Sequence, residues 1–429
     1  MASPDLSRIE GVERLLFDLI PRLTPSSSPM GRPEVLPGAM LWSGVLVCIL
    51  RKLTSQSALW RLLSQHGLWS FPRTPVCAEA VRIRLVRSGP ETMRQLCLGI
   101  TGLLHDQSPG DLTLAPFAMG VYALDATTLD QVSRRLPTLR DVPDGDRRRL
   151  PGKLHVAFDV RRQQFATILP TDLPYQNEKV AARDLLATLP AESLVLADQG
   201  YFSFPWFDDL TEAKYWYVSK CRAKTSFLCC HTLTRTTHVT DELVWLGAYR
   251  ADRAKHLVRR IEVRFGGFTW CYLTNVLDPT QLSVAEVMRL YGRRWDIERL
   301  FSLIKKELGL HLLWSSQWEL ILTQVWGVIL IAQIATSLRW QIAERAGVDL
   351  FVVSLNLLVR DLPYLVHDHG DHLVDHLASL PVVKGGYLRP STRKQYDVPI
   401  DLPITPAPPD LPLTRTPRYA GRRCNPGRI

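Results

Sequence analysis

The sequence has few features of a secreted, zinc-binding or membrane protein. Its eight cysteines include no C-x-x-C pair, and the spacing of Cys229, Cys230, His231 and His238 matches no common zinc site. The N-terminus lacks the charged-then-apolar pattern of a signal peptide, so we expect a cytoplasmic protein with reduced thiols. Only Leu320–Leu338 is apolar enough to suggest a membrane span, but polar residues interrupt it. We expect a buried core helix there, and no membrane partner.

The composition indicates a folded protein with an excess of positive charge. Hydrophobic residues make up 46% of the 429 residues and charged residues 22%, which is enough for a core and two or three domains. Lysine and arginine outnumber aspartate and glutamate by 52 to 42, for a net charge of +10. Phosphate contacts supply much of the affinity for nucleic acids, so the excess suggests a polyanionic partner. A basic enzyme that does not bind nucleic acid is the alternative.

Short helices joined by tight turns are predicted in the first 110 residues. One of them, at about Ala78–Val86, carries Arg82, Arg84 and Arg87, and a Ser-Gly-Pro turn follows it. This arrangement could be a helix-turn-helix reader of DNA. Plain helical packing explains the pattern equally well, so both interpretations stay open.

The pattern changes to mixed α/β after about residue 117. Val121–Leu124 is a short apolar run that ends in Asp125, and Ser193–Ala197 is another that ends in Asp198. A hairpin and a helix are predicted between these two runs, and further strands are predicted after Asp198. This order matches that of an RNase H-like domain. Residues 220–275 contain strand-like runs separated by polar stretches, a pattern that predicts an inserted β unit.

A single long helix is predicted before residue 310. Ser283 and Glu286 form a capping box at its start, and Gly309 supplies its end. Five apolar residues are spaced to cover one buried face: Leu290, Ile297, Phe301, Ile304 and Leu308.

Four polar side chains fall along another face of this helix. Tyr291, Glu298 and Lys305 are seven residues apart each time, and Arg294 lies between the first two. Seven residues are nearly two helical turns, so these groups form one stripe. On its own, such a stripe is more often a solvated face with an Arg294–Glu298 ion pair.

The aspartates at the ends of two apolar runs favour a functional interpretation. Burying a charge there is costly unless it is paired or holds a metal ion. Asp125 and Asp198 facing Glu298 would form an all-oxygen site suited to Mg²⁺. Two such ions can activate a hydroxyl nucleophile and stabilise the leaving oxygen of a phosphodiester.

These residues resemble the bacterial transposases of the insertion sequence four family. The spacing of Tyr291, Arg294, Glu298 and Lys305 reproduces that family's Y-(2)-R-(3)-E-(6)-K signature. Leu-Asp-Ala-Thr-Thr and Ala-Asp-Gln-Gly-Tyr resemble the contexts of its two aspartates, and the resemblance covers roughly residues 122–335. One departure is Gln199, where relatives often carry an arginine, so a phosphate contact at this position is not expected.

The resemblance implies an α/β protein with an RNase H-like catalytic core and an inserted β-rich unit, and the sequence pattern outside the resemblance predicts flanking helical regions and a tail. The implied catalytic core comprises residues 117–219 and 276–312, and the β unit comprises residues 220–275. Residues 1–110 form the N-terminal helical region, where DNA ends could bind. Residues 313–380 form a second helical region, and residues 381–429 form a Pro/Arg-rich basic tail that is extended and could be disordered.

The implied activity is cut-and-paste DNA transposition. Asp125, Asp198 and Glu298 would be catalytic and would hold two Mg²⁺ ions, with Mn²⁺ able to substitute. Tyr291, Arg294 and Lys305 would grip DNA phosphates. Trp270 resembles a tryptophan that stacks on a flipped base when a hairpin forms on the transposon end. The alternative for Trp270 is an ordinary core residue of a strand, and Trp245 is the next stacking candidate.

The implied partners are the double-stranded DNA of the transposon ends and of the target, bound by a homodimer. The protein would act in the bacterial cytoplasm, associated with the nucleoid. One alternative is a catalytically inactive or domesticated relative that binds DNA without cutting it. A nuclease of the same fold that never rejoins strands is the other alternative.

Overall fold

A computed structural model describes residues 35–53, 55–68, 72–105, 108, 110–129, 152–248, 252–391, 393 and 402–419. Residues 1–34 of the predicted N-terminal region lie outside the described residues. So do residues 394–401 and 420–429 of the predicted tail.

Helices occupy most of the described part of the N-terminal region. They are α1 (Gly38–Leu50), α2 (Gln56–Arg61), α3 (Ala78–Ser88) and α4 (Glu91–His105), and one π-helical turn follows α2. Val81 and Leu85 are the buried residues of α3; Arg82 and Arg84 are partly buried and Arg87 is exposed. Arg82 is paired with Glu79 at 2.6 Å. A surface helix of this kind is compatible with DNA reading and with plain packing alike.

Nine strands form one continuous mixed sheet in the order β3-β2-β1-β4-β5-β9-β8-β7-β6. β1, β4 and β5 are parallel, whereas β1, β2 and β3 pair in antiparallel fashion. The strands from residue 227 onward join through the antiparallel pair β5–β9. The strands of the predicted β unit therefore continue the same sheet beyond β5. The strand bounds are β1 Val121–Thr128, β2 Lys153–Asp159, β3 Gln164–Thr171, β4 Leu194–Ala197, β5 Trp216–Lys220, β6 Phe227–Arg235, β7 Val239–Leu246, β8 Val258–Phe265 and β9 Phe268–Thr274.

Helices cover both faces of the sheet. One face packs against α5 (Glu178–Leu186) and α6 (Phe204–Glu212). The other packs against α7 (Val284–Arg293), α8 (Trp295–Lys306) and α9 (Trp318–Ala346), together with the N-terminal helices. This mixed α/β architecture confirms the predicted fold class at that level. Residues alternate between the two faces along each strand, so Asp125 shares the α8 face with Val121 and Ala123.

The predicted single helix is two segments, so that prediction was wrong in this respect. The capping box of Ser283 and Glu286 starts α7 as predicted, with each side chain bonded to the other's backbone N–H. Arg294 keeps helical dihedral angles, but the regular hydrogen-bond pattern is interrupted there, because its N–H donates to the carbonyl of Tyr291, three residues earlier, at 3.2 Å. α8 begins at Trp295 and ends at Lys306, and Gly309 follows in the left-handed region with φ of 75°. All five predicted core residues of this region are buried.

The long apolar helix α9 lies inside the protein. α9 is long and apolar enough to cross a membrane, but 94% of its most apolar window is buried in the protein. Gln333 holds β3 by accepting a bond from the N–H of Phe165 at 3.1 Å and donating to its carbonyl at 3.0 Å. Both observations support the predicted core helix.

The C-terminal part adds α10 (Leu355–His369) and α11 (Leu373–Ala378). Residues 402–419 of the tail are extended, as predicted, but they are anchored on the sheet. The N–H of Thr405 donates to Leu233 at 2.7 Å, and the N–H of Leu257 donates to Leu413 at 2.9 Å. Backbone bonds to residues of the sheet region therefore hold these residues, for which disorder was one of two possibilities.

Candidate active site

The two predicted aspartates meet at one edge of adjacent parallel strands. β1 and β4 pair as far as Ala123 and Leu196. Continuing that register by two residues places Asp125 level with Asp198, which directly follows β4. Asp125 lies within β1 rather than at its end, because β1 continues to Thr128 along β2. The prediction that Asp125 ends its strand was thus wrong. Instead, the pairing of β1 with β4 stops at Ala123, so β4 no longer lies along β1 at Asp125.

Backbone N–H groups fix both carboxylates. Oδ1 of Asp125 accepts from the N–H of Ala126 at 2.8 Å, and Oδ1 of Asp198 accepts from the N–H of Gly200 at 2.7 Å. A Cβ atom added to Gly200 would lie 2.8 Å from Asp198 Oδ1 and 3.3 Å from Glu178 Oε2. Glycine at this position therefore allows the backbone to approach two carboxylates closely. The same contact brings Glu178, at the start of α5, beside Asp198.

Arg294 connects Glu298 with Asp125. Its Nη2 donates to Glu298 Oε1 at 2.9 Å, and its Nη1 lies 3.9 Å from Asp125 Oδ2. Arg294 is buried, whereas the Glu298 side chain is 39% exposed. The predicted Arg294–Glu298 pair is therefore present, but its guanidinium is buried and also lies near Asp125, so the pair joins the candidate site to the surface.

The charges of this group act on one another. Burial, with smaller contributions from Glu298 and Glu178, raises the pKa of Asp125 to about 7, although the Ala126 N–H and Arg294 oppose the rise. Burial also raises the pKa of Tyr201, and three nearby carboxylates add to that effect: Glu178, Asp125 and Asp198. Its hydroxyl is buried and, within the described residues, has no hydrogen-bond partner. Four carboxylates, one guanidinium and a buried phenol therefore share one negative region.

The predicted metal group is assembled only in part. Across the described ranges, no three aspartate, glutamate, histidine or cysteine side chains are close enough together to hold a metal ion. Asp125 and Asp198 share a register, but Glu298 is held by Arg294. The donors are nonetheless oxygen atoms, which suit a hard divalent cation. In donor chemistry the residues fit such an ion.

The signature residues divide between the two helical segments. Tyr291, on α7, is buried, and its ring centroid lies 5.0 Å from that of Tyr272 on β9. The guanidinium of Arg294 lies 5.7 Å from the centre of the Tyr291 ring. Lys305 is half-buried near the end of α8, two turns beyond Glu298. The structure therefore brings Tyr291, Arg294 and Glu298 together and leaves Lys305 farther along the same helix.

The tryptophans near the site differ in how much of each ring is exposed to a ligand. Trp270 is partly buried on β9, packs against the core and lies 5.9 Å from the Phe268 ring. Trp245 is 8% exposed, and Arg415 covers it at 5.0 Å, so it has little free surface for stacking. Trp295 is 52% exposed, and the Arg294 guanidinium lies 4.7 Å from the centre of its ring.

Sequence reasoning missed Trp295, Glu178 and Arg222. The place of Trp295 directly after Arg294, inside the signature, could have singled it out. No local signal marks Glu178, because only the fold brings α5 to β4. Arg222 Nη2 donates to the carbonyl of Gln199 at 2.8 Å, so a guanidinium from the residues after β5 lies beside the position where sequence analysis expected none.

No curated protein sequence is significantly similar to the chain. Among solved structures, the chain is similar to piggyBac transposase in a synaptic complex with hairpin DNA, with a TM-score of 0.42 and 11% identity over 89% of this chain and 81% of that one. The profile of the transposase DDE domain matches residues 116–334, which include both aspartates and Glu298. By that match over half its length, the chain belongs to the transposase DDE domain family.

Proposed function

We propose that the chain is a cut-and-paste DNA transposase that cleaves at the terminal inverted repeats of its own element. The released 3′-hydroxyl ends would then be joined to target DNA. The observation that carries the proposal is that Asp125 and Asp198 each stand two residues beyond the last pair of β1 and β4, beside the Arg294–Glu298 pair. The more specific assignment to the insertion sequence four family rests on the spacing of Tyr291 and its partners in the signature.

An RNase H-like core is part of the proposal. The strands β3-β2-β1-β4-β5, with an antiparallel β1–β2–β3 meander and parallel β1, β4 and β5, support it. In parallel α/β arrangements, ligands bind outside the carboxyl ends of the strands. Asp198 directly follows the carboxyl end of β4, and Asp125 lies on β1 just beyond its pairing with β4, where a DNA phosphate could reach both.

Asp125, Asp198 and Glu298 would hold two divalent ions, for which Mg²⁺ is proposed and Mn²⁺ could substitute. When bound, such ions supply Lewis-acid stabilisation of the attacking and leaving oxygens of a phosphodiester. The backbone N–H groups of Ala126 and Gly200 fix the two aspartate carboxylates. Arg294 orients Glu298 and, through its buried charge, offsets the repulsion among the carboxylates.

DNA would be held by residues around this group. On α8, the exposed Trp295 precedes Glu298 and Lys305 follows it by two turns. Tyr291 lies next to this group, at the end of α7. If a hairpin forms on the transposon end, a flipped base would need an aromatic platform. Trp270 remains the proposed platform, and the exposure of Trp295 makes it a second one. A homodimer that holds both ends would allow them to be cut together.

A cleavage assay tests the proposal. Purified protein is incubated with linear DNA that carries the inverted repeats flanking its gene, in Mg²⁺ or Mn²⁺. The Glu298→Gln variant is compared with Glu307→Gln, which changes a carboxylate just after α8 that pairs with Lys52 at 3.7 Å. We expect cutting at the element boundary by the wild type and by Glu307→Gln only.

The other outcomes select between the alternatives. Binding of the ends without nicking in either metal would favour an inactive DNA-binding relative. Cutting without any joining of the 3′-hydroxyl to target DNA would favour a nuclease of the same fold.

A further inference from the structure

A cavity of about 110 Å³ lies on the other side of α8 from Glu298, between α8, α9 and the segment that follows α11. Asp296 and Glu298 are two positions apart, so they project roughly 200° apart around the helix. The cavity is therefore separate from the candidate active site. Its polar lining consists mainly of Asp296, Arg299, Arg339, Ser354, Arg389 and Arg393.

Four guanidinium groups in this lining face a single carboxylate. Asp296 is buried and already accepts hydrogen bonds from Arg393, from Gln163 at 2.9 Å and from Arg293 at 2.8 Å. Arg293 does not line the cavity, but it also lies 3.6 Å from Asp111. The one negative charge of the lining is thus shared by two arginines, and it cannot balance the others.

Among the residues that the structure describes, no acidic side chain forms an ion pair with the remaining arginines of the lining. Buried Arg339 donates through Nε to the carbonyl of Val353 at 2.9 Å, which is an uncharged acceptor. Within the part of the chain that the structure describes, the side chains of Arg299 and Arg389 make no hydrogen bond and no ion pair. Both are exposed at the mouth of the cavity, so they are available to a ligand.

The aromatic ring of Phe351 holds the arginines close together. The guanidinium carbons of Arg293, Arg339 and Arg393 lie 4.5, 4.9 and 3.2 Å from its centre. Stacking on a ring attracts cations but leaves their mutual repulsion in place. Burial, followed by the neighbouring arginines, lowers the pKa of Arg339 to about 9, although Asp296 and Asp349 oppose this. Burial likewise lowers the pKa of Arg393 to about 10.

Two buried polar atoms at the cavity are also unsatisfied. The hydroxyl of Ser354, a residue that is 3% exposed, and Nε of Arg393 have no hydrogen-bond partner among the described residues. Both can donate, and unsatisfied buried donors are costly. A ligand with several acceptor oxygens and a negative charge would satisfy them and would also balance the arginines.

We propose that this cavity binds a phosphate group. Arg339 and Ser354 would contact it from within, and Arg299 and Arg389 would close over it from the mouth. The group could be a backbone phosphate of DNA or free inorganic phosphate, since both present the same oxygens to guanidinium groups. The inference goes beyond the proposed cleavage activity and does not depend on it.

The first experiment measures the thermal unfolding of the full chain in sodium phosphate and in sodium chloride of matched ionic strength. Phosphate is expected to raise the unfolding midpoint in a saturable way, because a ligand that binds only the folded state stabilises it. Arg299→Gln and Arg389→Gln, combined, should weaken the apparent phosphate affinity by about tenfold or more, because charge-assisted bonds are lost. Both arginines are exposed, so the double variant should fold.

The matched control is Arg183→Gln. Arg183 is an exposed arginine on α5, on the opposite face of the sheet, where it pairs with Asp209 at 2.9 Å. The control should respond to phosphate as the wild type does.

Binding of a short random-sequence duplex then identifies the source of the phosphate. If DNA supplies it, the double variant should bind the duplex more weakly, and its salt dependence should fall by about one phosphate contact. If free phosphate is the ligand, DNA binding should stay unchanged while the phosphate response is lost. No phosphate-specific shift in the wild type, together with unchanged DNA binding by the double variant, would overturn the proposal. Because neither readout uses cleavage, this failure is distinguishable from failure of the proposed function.

Discussion

The two sides of α8 carry opposite imbalances of charge. On one side, Arg294 stands among four carboxylates, two of which it contacts. On the other side, four arginines surround Asp296. A protein interior tolerates neither excess well, because buried charges need partners. The first side is thus suited to cations and the second to an anion, and both sites border the same short helix.

The largest expected effect concerns the carboxylate side. Asp198→Asn removes a charge but keeps the shape and the hydrogen bond to Gly200. We expect cleavage of the element ends to fall by about 10²–10³, the range typical for loss of one preorganised electrostatic group. Single-turnover cleavage rates at saturating protein measure the fall. A rate within a few fold of the wild type would remove Asp198 from the proposed mechanism, with Asp209→Asn as the control on the α6 surface.

The next effect concerns the arginine side. Asp296→Asn leaves Arg293 and Arg393 beside an uncharged group, and removal of one partner from a buried ion pair costs about 3 kcal/mol. The free energy of unfolding in urea should fall by roughly that amount. If phosphate binds the cavity, it should restore part of the loss, whereas chloride at equal ionic strength should not. Equal loss in both salts would contradict a balancing role for the anion.

Arg294→Met tests the contribution of the positive charge that lies among the carboxylates. The variant keeps the packing of the side chain but removes the charge between Asp125 and Glu298. Because Glu298 is partly exposed, we expect a smaller loss of about 2 kcal/mol in the free energy of unfolding. The exposed pair of Arg183 and Asp209 is the control, and its loss should cost less than about 1 kcal/mol. Equal losses at the two sites would show that burial of Arg294 contributes nothing.

The smallest expected effect belongs to the surface of α8. Trp295→Ala removes an exposed ring that Arg294 covers. Loss of one stacked base should weaken binding of a hairpin-ended DNA by about 1 kcal/mol while leaving blunt duplex unaffected. Fluorescence anisotropy with the two DNAs measures the difference, and Trp270→Ala gives the parallel result for the other platform. If neither variant distinguishes the two DNAs, neither tryptophan is the proposed platform.

Local sequence patterns were sufficient to predict several of the helices and strands. The capping box of Ser283 and Glu286 involves residues three apart, so its hydrogen bonds follow from the local sequence. The apolar runs before Asp125 and Asp198 likewise predicted β1 and β4. The break at Arg294 was not predicted, because the helical periodicity of the side chains continues across it. The anchored tail was missed because its backbone bonds join residues more than 150 positions apart.

The sequence by itself determined the chemical identity of the candidate active site, since Asp125, Asp198, Arg294 and Glu298 stand in recognisable contexts at fixed spacings. Only the tertiary structure decided which other groups join them. Glu178 reaches Asp198 from a separate helix, and Arg393 reaches Asp296 across 97 residues. The physical reason is that charges interact through space, so the balance around a helix depends on which distant segments pack against each of its sides.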